Sequence, residues 1–267
     1  MKYIDLNGEK IDTIGFGTYK MTNRDAESAV LSALECGYRR IDTAIMYENE
    51  EGVGRAIKAS GLKEEELFVT TKLWTDVNSR EGVRRAVTGS LERLGLKRLD
   101  LLLIHWPTPF NDEVWAGMEA LKDEGTVRHI GLSNFLPHHI EELKYSVKPE
   151  WDQTELHPYF QNRGTLGYLQ KRGIVAEAWS PLLRGGALED KTIKAVAEKY
   201  AVTPAAVVLS FLTKEGVAVI PKSTNPAHIA ENFRAAELEL GEEDVAAIRA
   251  LDTGKRSFRD PDNHGFC

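Results

Sequence analysis

Only two cysteines, Cys36 and Cys267, occur among the 267 residues. That is too few for a disulfide framework, and it suits a reducing compartment. Positive charge is not in excess either. Lys and Arg total 34 against 41 Asp and Glu, a formal net charge of −7. Such a balance offers no electrostatic footprint for nucleic acid or an anionic membrane surface. An anionic ligand therefore needs a local basic pocket of its own. No apolar run approaches the length of a membrane span, and the polar first ten residues lack an apolar signal core. The expectation is a cytoplasmic chain with neither nucleic-acid nor membrane partners. No low-complexity stretch or Pro/Gly/Ser linker divides it, so residues 1–267 read as one barrel-sized domain.

Two further signals are missing. Gly52-Val53-Gly54 lacks the third glycine of a dinucleotide fingerprint and follows no strand, so it reads as close helix packing. No metal site is expected. His138 and His139 are adjacent and should not share a helix face, and His129, His157 and His264 have no ligand spacing.

What is present is an alternation of short apolar runs and amphipathic stretches. Residues 3–6 and 9–12 flank Asn7-Gly8, a hairpin signal. Eight strand candidates follow, at residues 14–17, 40–42, 67–72, 99–105, 127–133, 151–156, 175–179 and 218–221. Val83, Val87, Leu91 and Leu94 recur at helical spacing, as do Val245, Ile248 and Leu251. Gly37, Gly61, Gly95, Gly125 and Gly173 stand where helices should stop. Residues 188–200 and 204–214 place two helices between the seventh and eighth strands, and a further helix covers about 242–251. The pattern predicts an α/β fold, a (β/α)8 TIM barrel with an N-terminal β-hairpin and two extra helices. A doubly wound open sheet is the alternative.

The strands tend to end in reactive residues: Asp42, Lys72, His105, Ser133 with Asn134, Gln153, Trp179 and Lys222. In a barrel those ends form one face, where the active site lies. At this point the chain resembles the aldo-keto reductase family. The carriers are Ile41-Asp42-Thr43-Ala44 with Tyr47, Asn49 and Glu50, then Leu103-Ile104-His105-Trp106-Pro107. Ile130-Gly131-Leu132-Ser133-Asn134-Phe135 follows, and last comes Ile220-Pro221-Lys222-Ser223-Thr224 with Glu231-Asn232. The blocks stand in family order and span nearly the whole chain. Short loops and Trp179 make it most similar to the prokaryotic branch of 2,5-diketo-gluconate and methylglyoxal reductases.

The resemblance implies reduction of small aldehydes, α-dicarbonyls or keto-sugars to alcohols by a monomeric enzyme using NADPH. It makes Tyr47 the proton donor, Lys72 the ammonium that lowers the phenol pKa, Asp42 the partner of Lys72, and His105 the group that orients the carbonyl. Lowering is the expected direction because a nearby cation favours the phenolate. For the cofactor it implies Gly17, Thr18 and Tyr19 near the ribose, with Asp42 beside them. Ser133, Asn134 and Gln153 would take the carboxamide, and Trp179 would stack on the nicotinamide, followed by Ser180, Pro181 and Leu182. Ile220, Pro221, Lys222, Ser223 and Thr224 would take the 2′-phosphate, with Glu231 and Asn232 on the adenine. Substrate would meet Tyr47, Trp74, His105, Trp106 and Trp179, with the tail at residues 256–267 folded over the mouth.

Two residues depart from the family pattern. His228 replaces the usual Arg, which predicts a weaker preference for NADPH over NADH, sharpening at lower pH. Asp152 replaces the commoner Asn beside Gln153. Rival readings are a barrel aldolase with a Schiff-base lysine, Lys72 or Lys222, and a non-catalytic cofactor-sensing subunit.

Overall fold

The computed structural model describes residues 3–266. Strands β1 (Tyr3–Leu6) and β2 (Glu9–Asp12) pair as an antiparallel hairpin. Its turn places Asn7 and Gly8 at φ 55° and 90°, the double left-handed step that Asn-Gly favours. The hairpin buries Ile4, Leu6 and Ile11 against Phe68, Leu101, Leu103, Trp151 and Ala218. Those five lie on four different barrel strands, so the hairpin plugs the amino end of the barrel. His129 sits between Glu9 and Glu150, with a ring nitrogen 3.1 Å from each, and ties the plug to the wall.

The main sheet has eight parallel strands in sequence order. They are β3 (Phe16–Gly17), β4 (Arg40–Asp42), β5 (Phe68–Leu73), β6 (Leu99–Ile104), β7 (Val127–Ser133), β8 (Trp151–Glu155), β9 (Val175–Trp179) and β10 (Ala218–Val219). The two outer strands also bond to each other. Ile14 bridges Val219 in parallel, Gly15 N donates to Val219 O at 2.8 Å, and Gly17 N donates to Pro221 O at 3.1 Å. The sheet is thus closed, and the open doubly wound alternative is excluded.

At this seam β3 and β10 are shorter than the sequence suggests. Pro221 has no N–H to continue the ladder. Arg40 reinforces this seam, donating to the carbonyls of Asp12, Thr13 and Val219. Gly15 makes room for it: a Cβ there would lie 2.9 Å from the Arg40 guanidinium carbon.

Ten α-helices are present among the described residues: α1 (Asn23–Cys36), α2 (Glu50–Ser60), α3 (Arg80–Leu94), α4 (Asn111–Asp123), α5 (Pro137–Glu142), α6 (Arg163–Lys171), α7 (Lys191–Tyr200), α8 (Pro204–Lys214), α9 (Pro226–Arg234) and α10 (Glu242–Arg249). The five glycines expected to stop helices all take positive φ. Helix α7 starts three residues later than expected because Asp190 caps it, accepting from Thr192 N and Ile193 N. Gly52 and Gly54 do serve packing. A Cβ on Gly52 would lie 2.1 Å from Asn23 O, and one on Gly54 would lie 2.6 Å from Arg93 O. Between the strands and the helical ring lies the larger apolar core. No single helix is long and apolar enough to cross a membrane.

Candidate active site

Strand β4 delivers Asp42 to the carboxyl end of the barrel, and its neighbour β5 delivers Lys72. Both are buried. Lys72 Nζ donates to Asp42 Oδ1 at 2.6 Å and to Thr43 O at 2.9 Å. The chain after β4 turns through a short 3-10 segment, Ile45–Tyr47, with Glu48 left-handed at φ 55°. That turn brings the Tyr47 ring over Lys72, with Nζ 5.1 Å from the ring centroid. Asn49 holds the turn, accepting from Thr43 Oγ1 and donating to the carbonyls of Thr18 and Met21. Buried Glu50 takes Thr71, Ser90 and Arg93. Asn49 and Glu50 therefore brace the site from behind. His105 follows β6, and its ring meets Tyr47 edge-on at 5.7 Å. Tyr47, Lys72, Asp42 and His105 are thus brought together from three adjacent strands.

Burial pushes the Tyr47 phenol well above its ordinary value, and the negative charge of Asp42, then Tyr19 and Glu177, push the same way. This corrects the expected direction. Burial outweighs the pull of the nearby Lys72 ammonium, and the phenol keeps its proton at neutral pH. Burial holds His105 well below its ordinary value, with Lys72 adding to the effect, so the imidazole is neutral. Its Nδ1 is buried without a hydrogen-bond partner. For Asp42, burial raises the carboxyl and the Lys72 ammonium opposes the rise.

A second arc runs along β7, β8 and β9. Ser133 Oγ donates to Gln153 O at 2.9 Å. Asn134, at φ 64°, donates to His105 O and Ser133 Oγ and accepts from Trp179 Nε1 at 2.8 Å. Gln153 Nε2 reaches Asp42 Oδ2 at 2.7 Å. Gln153 does not end its strand, since β8 runs on to Glu155. Ser180, Pro181 and Leu182 continue from Trp179, with Ser180 left-handed at φ 53°. Across the seam, Thr18 donates to Asp42 O through both N and Oγ1. Tyr19 lies 5.0 Å from Tyr47, ring to ring, and Gly17 packs so closely on Ile220 that a Cβ would lie 3.0 Å from its carbonyl.

Beyond Ile220 and Pro221, Lys222, Thr224 and His228 are exposed and Ser223 is half-buried, all around the start of α9. Asn225 caps this helix by accepting from Ala227 N. The two hydroxyls precede the cap rather than forming it. Glu231 and Asn232 lie one turn further along α9, with Asn232 buried.

The tail crosses the mouth. Thr253 donates to Tyr159 O, and Ser257 N donates to Glu155 Oε1 at 2.6 Å. His264 Nε2 bonds Pro107 O at 2.8 Å. Phe258 packs on Trp106 and Trp179, and Phe266 on Trp74 and Trp106. The expected cover is therefore in place from residue 256 to 266, and Cys267 lies outside the described residues. Met46 and Trp74 are partly buried, whereas Phe110 is exposed at the start of α4.

His138 and His139, expected to diverge, converge instead. Their Nε2 atoms lie 2.9 and 3.0 Å from the same Asp262 Oδ1. The two residues begin a short helix, and the tail carboxylate reaches both rings. Leu136 N–H donates to His139 Nδ1 at 3.1 Å, which leaves the ring proton on Nε2. His139 thus donates to the carboxylate rather than offering a lone pair to a metal.

Several buried acids were given no role by the sequence reading. Glu177 is ion-paired with Arg40. Glu155 accepts from His157 and Ser257. Asp152, noticed only as a departure, is buried with no hydrogen-bond partner for either oxygen. A signal for the first two was available. Period-2 alternation puts Glu155 on the face of Gln153, and Glu177 on the face of Trp179.

The fold and this polar face define a barrel enzyme working on a ligand held at the carboxyl ends of the strands. Comparison with known proteins narrows the class. The model of the aldo/keto reductase family matches residues 13–253. Methylglyoxal reductase DkgA of Salmonella typhimurium is 44% identical over 266 residues, 97% of this chain and 96% of that protein. Glyoxal reductase of Bacillus subtilis is 41% identical, covering 96% and 94% of the two chains. A solved structure of a Gox0644 variant in complex with NADPH matches with a TM-score of 0.91 and 38% identity over 96% of each chain. The chain belongs to the aldo/keto reductase family, and so is an oxidoreductase acting on carbonyl groups.

Proposed function

We propose that the protein reduces small aldehydes and α-dicarbonyls of the methylglyoxal and glyoxal type with NADPH, and that Tyr47 donates the proton. The observation that carries this reading is the convergence of a protonated phenol, a neutral imidazole and a lysine–carboxylate pair on one face of the barrel. The residues around that face suit the dinucleotide. Lys222 with Ser223 and Thr224 beside the α9 N-terminus is a donor set for a phosphate. The Trp179 indole is tied by its edge to Asn134, which holds its face in one plane.

Bound NADPH supplies the hydride. Tyr47 passes its proton to the carbonyl oxygen as charge develops there. His105, neutral and close to Tyr47, donates a second hydrogen bond to that oxygen and sets its position. Lys72, ion-paired with Asp42, stabilises the phenolate left on Tyr47 after proton transfer. Trp74, Trp106 and the tail phenylalanines exclude water around a small substrate.

The aldolase alternative fits poorly. Lys72 is ion-paired with Asp42 and hydrogen-bonded to Thr43 O, and Lys222 is exposed rather than set in an apolar pocket. A Schiff base needs a neutral amine. The deciding experiment is NADPH oxidation by purified protein over a carbonyl panel that includes methylglyoxal, glyoxal and 2,5-diketo-gluconate. Turnover of the dicarbonyls supports the proposal. NADPH binding without turnover of any carbonyl refutes it and favours a sensing role.

A further inference from the structure

Glu177 lies fully buried on β9, two residues before Trp179 and on the same face. Its Oε1 is paired with Arg40 Nη1. Its Oε2 accepts from Trp151 Nε1 at 3.0 Å and from Gln153 Nε2 at 2.7 Å. Gln153 Nε2 also donates to Asp42 Oδ2 at 2.7 Å. An amide nitrogen has two hydrogens, and here both go to carboxylates. A half-turn of the amide would set the Gln153 carbonyl oxygen against two anionic oxygens. The orientation is therefore fixed by charge, and Oε1 is the atom of this side chain left for a ligand.

The arrangement is also electrically closed. Arg40 and Lys72 are cations, Glu177 and Asp42 are anions, and all four are buried. Each pair is neutral, which lets it persist away from water. Gln153 is the uncharged link between the pairs. Arg40 in turn is anchored to the barrel seam through three backbone carbonyls, so it cannot follow a mobile partner.

We infer that Glu177, clamped by Arg40 and Trp151, is a positioning residue that locks the Gln153 side chain as a hydrogen-bond acceptor. A ligand must then present an N–H at that point. The primary amide of a nicotinamide ring does so, whereas a carboxylic acid in its place would present anionic oxygens to an acceptor. This rests on the NADPH reading above.

The test is a pair of titrations of Glu177→Gln, one with NADPH and one with 2′,5′-ADP, which carries the phosphates but no nicotinamide. NADPH binding should weaken by about tenfold, the scale of one charge-assisted hydrogen bond, while 2′,5′-ADP binding stays within twofold. Should Glu177→Gln fail to fold, the paired variant Arg40→Met with Glu177→Leu removes both charges and keeps the volume. It should show the same selective loss. Equal weakening of both probes, or no change in either, overturns the inference while leaving the function reading intact. Wild-type protein that binds neither probe overturns the cofactor reading, and the inference with it.

Discussion

Lys72 Nζ stands 2.6 Å from an Asp42 oxygen and 5.1 Å from the centre of the Tyr47 ring. The carboxylate, not the phenol, therefore takes the ammonium's strongest bond. Each member of the pair is buried only because the other is. Lys72→Met should leave Asp42 buried and unpaired and cost about 3–5 kcal/mol, read as a lower urea midpoint. Adding Asp42→Asn should recover part of that loss. A single variant as stable as the parent would mean that the pair is better hydrated than its burial indicates.

The raised phenol of Tyr47 gives a pH signature. Reduction needs the protonated form, which persists across neutral pH because burial and the Asp42 charge hold the proton on. The reductive kcat should be flat from pH 6 to 8, about the range in which His105, held low, also does not titrate. Alcohol oxidation with NADP⁺ needs the deprotonated form and should rise with pH. In Tyr47→Phe, kcat should fall by about 10²–10⁴-fold with NADPH affinity unchanged. A fall of less than tenfold would point to another donor.

His228 lies exposed in the first turn of α9, close in sequence to Lys222, Ser223 and Thr224. His228→Arg should raise the NADPH-to-NADH ratio of kcat/KM by about tenfold, since a guanidinium adds a charge-assisted, forked contact to phosphate. A ratio unmoved by the substitution would place the 2′-phosphate away from this turn.

Asp152 is buried on β8 with no partner of ordinary geometry, and burial raises its carboxyl well above the usual range, with the nearby Phe135 N–H opposing. A folded value raised above the unfolded one gives stability that is full below the unfolded carboxyl's range. It is lost as pH climbs toward the folded value. Asp152→Asn keeps the shape and removes the titration. Its melting temperature should exceed the parent's at pH 8, by roughly 2–4 °C per kcal/mol recovered, and match it at pH 4. Equal melting temperatures at both values would mean that Asp152 finds a partner.

Much of this protein could be read from its residues in order. Asn7-Gly8 specified the hairpin, five glycines marked helix ends, and alternating periodicity placed eight strands within a few residues of their bounds. These signals are local, since caps, turns and periodicity act over one or two turns of chain. Asp42, Lys72 and His105 at strand ends were legible because a parallel barrel gathers those ends on one face, whereas Tyr47, in the turn after β4, was legible only through the family resemblance.

Tertiary structure alone decided the rest. Arg40 and Glu177 are 137 residues apart, and nothing near either one announces the pair. Closing the barrel sets them face to face and makes Gln153 the link to Asp42. The same closure moved the Tyr47 phenol opposite to expectation, because burial depends on three-dimensional packing. Asp262 reaches His138 across 124 residues of chain and draws two adjacent rings onto one oxygen. Local chemistry selects each element, whereas the environment of a charge is set by whatever distant chain segments pack around it.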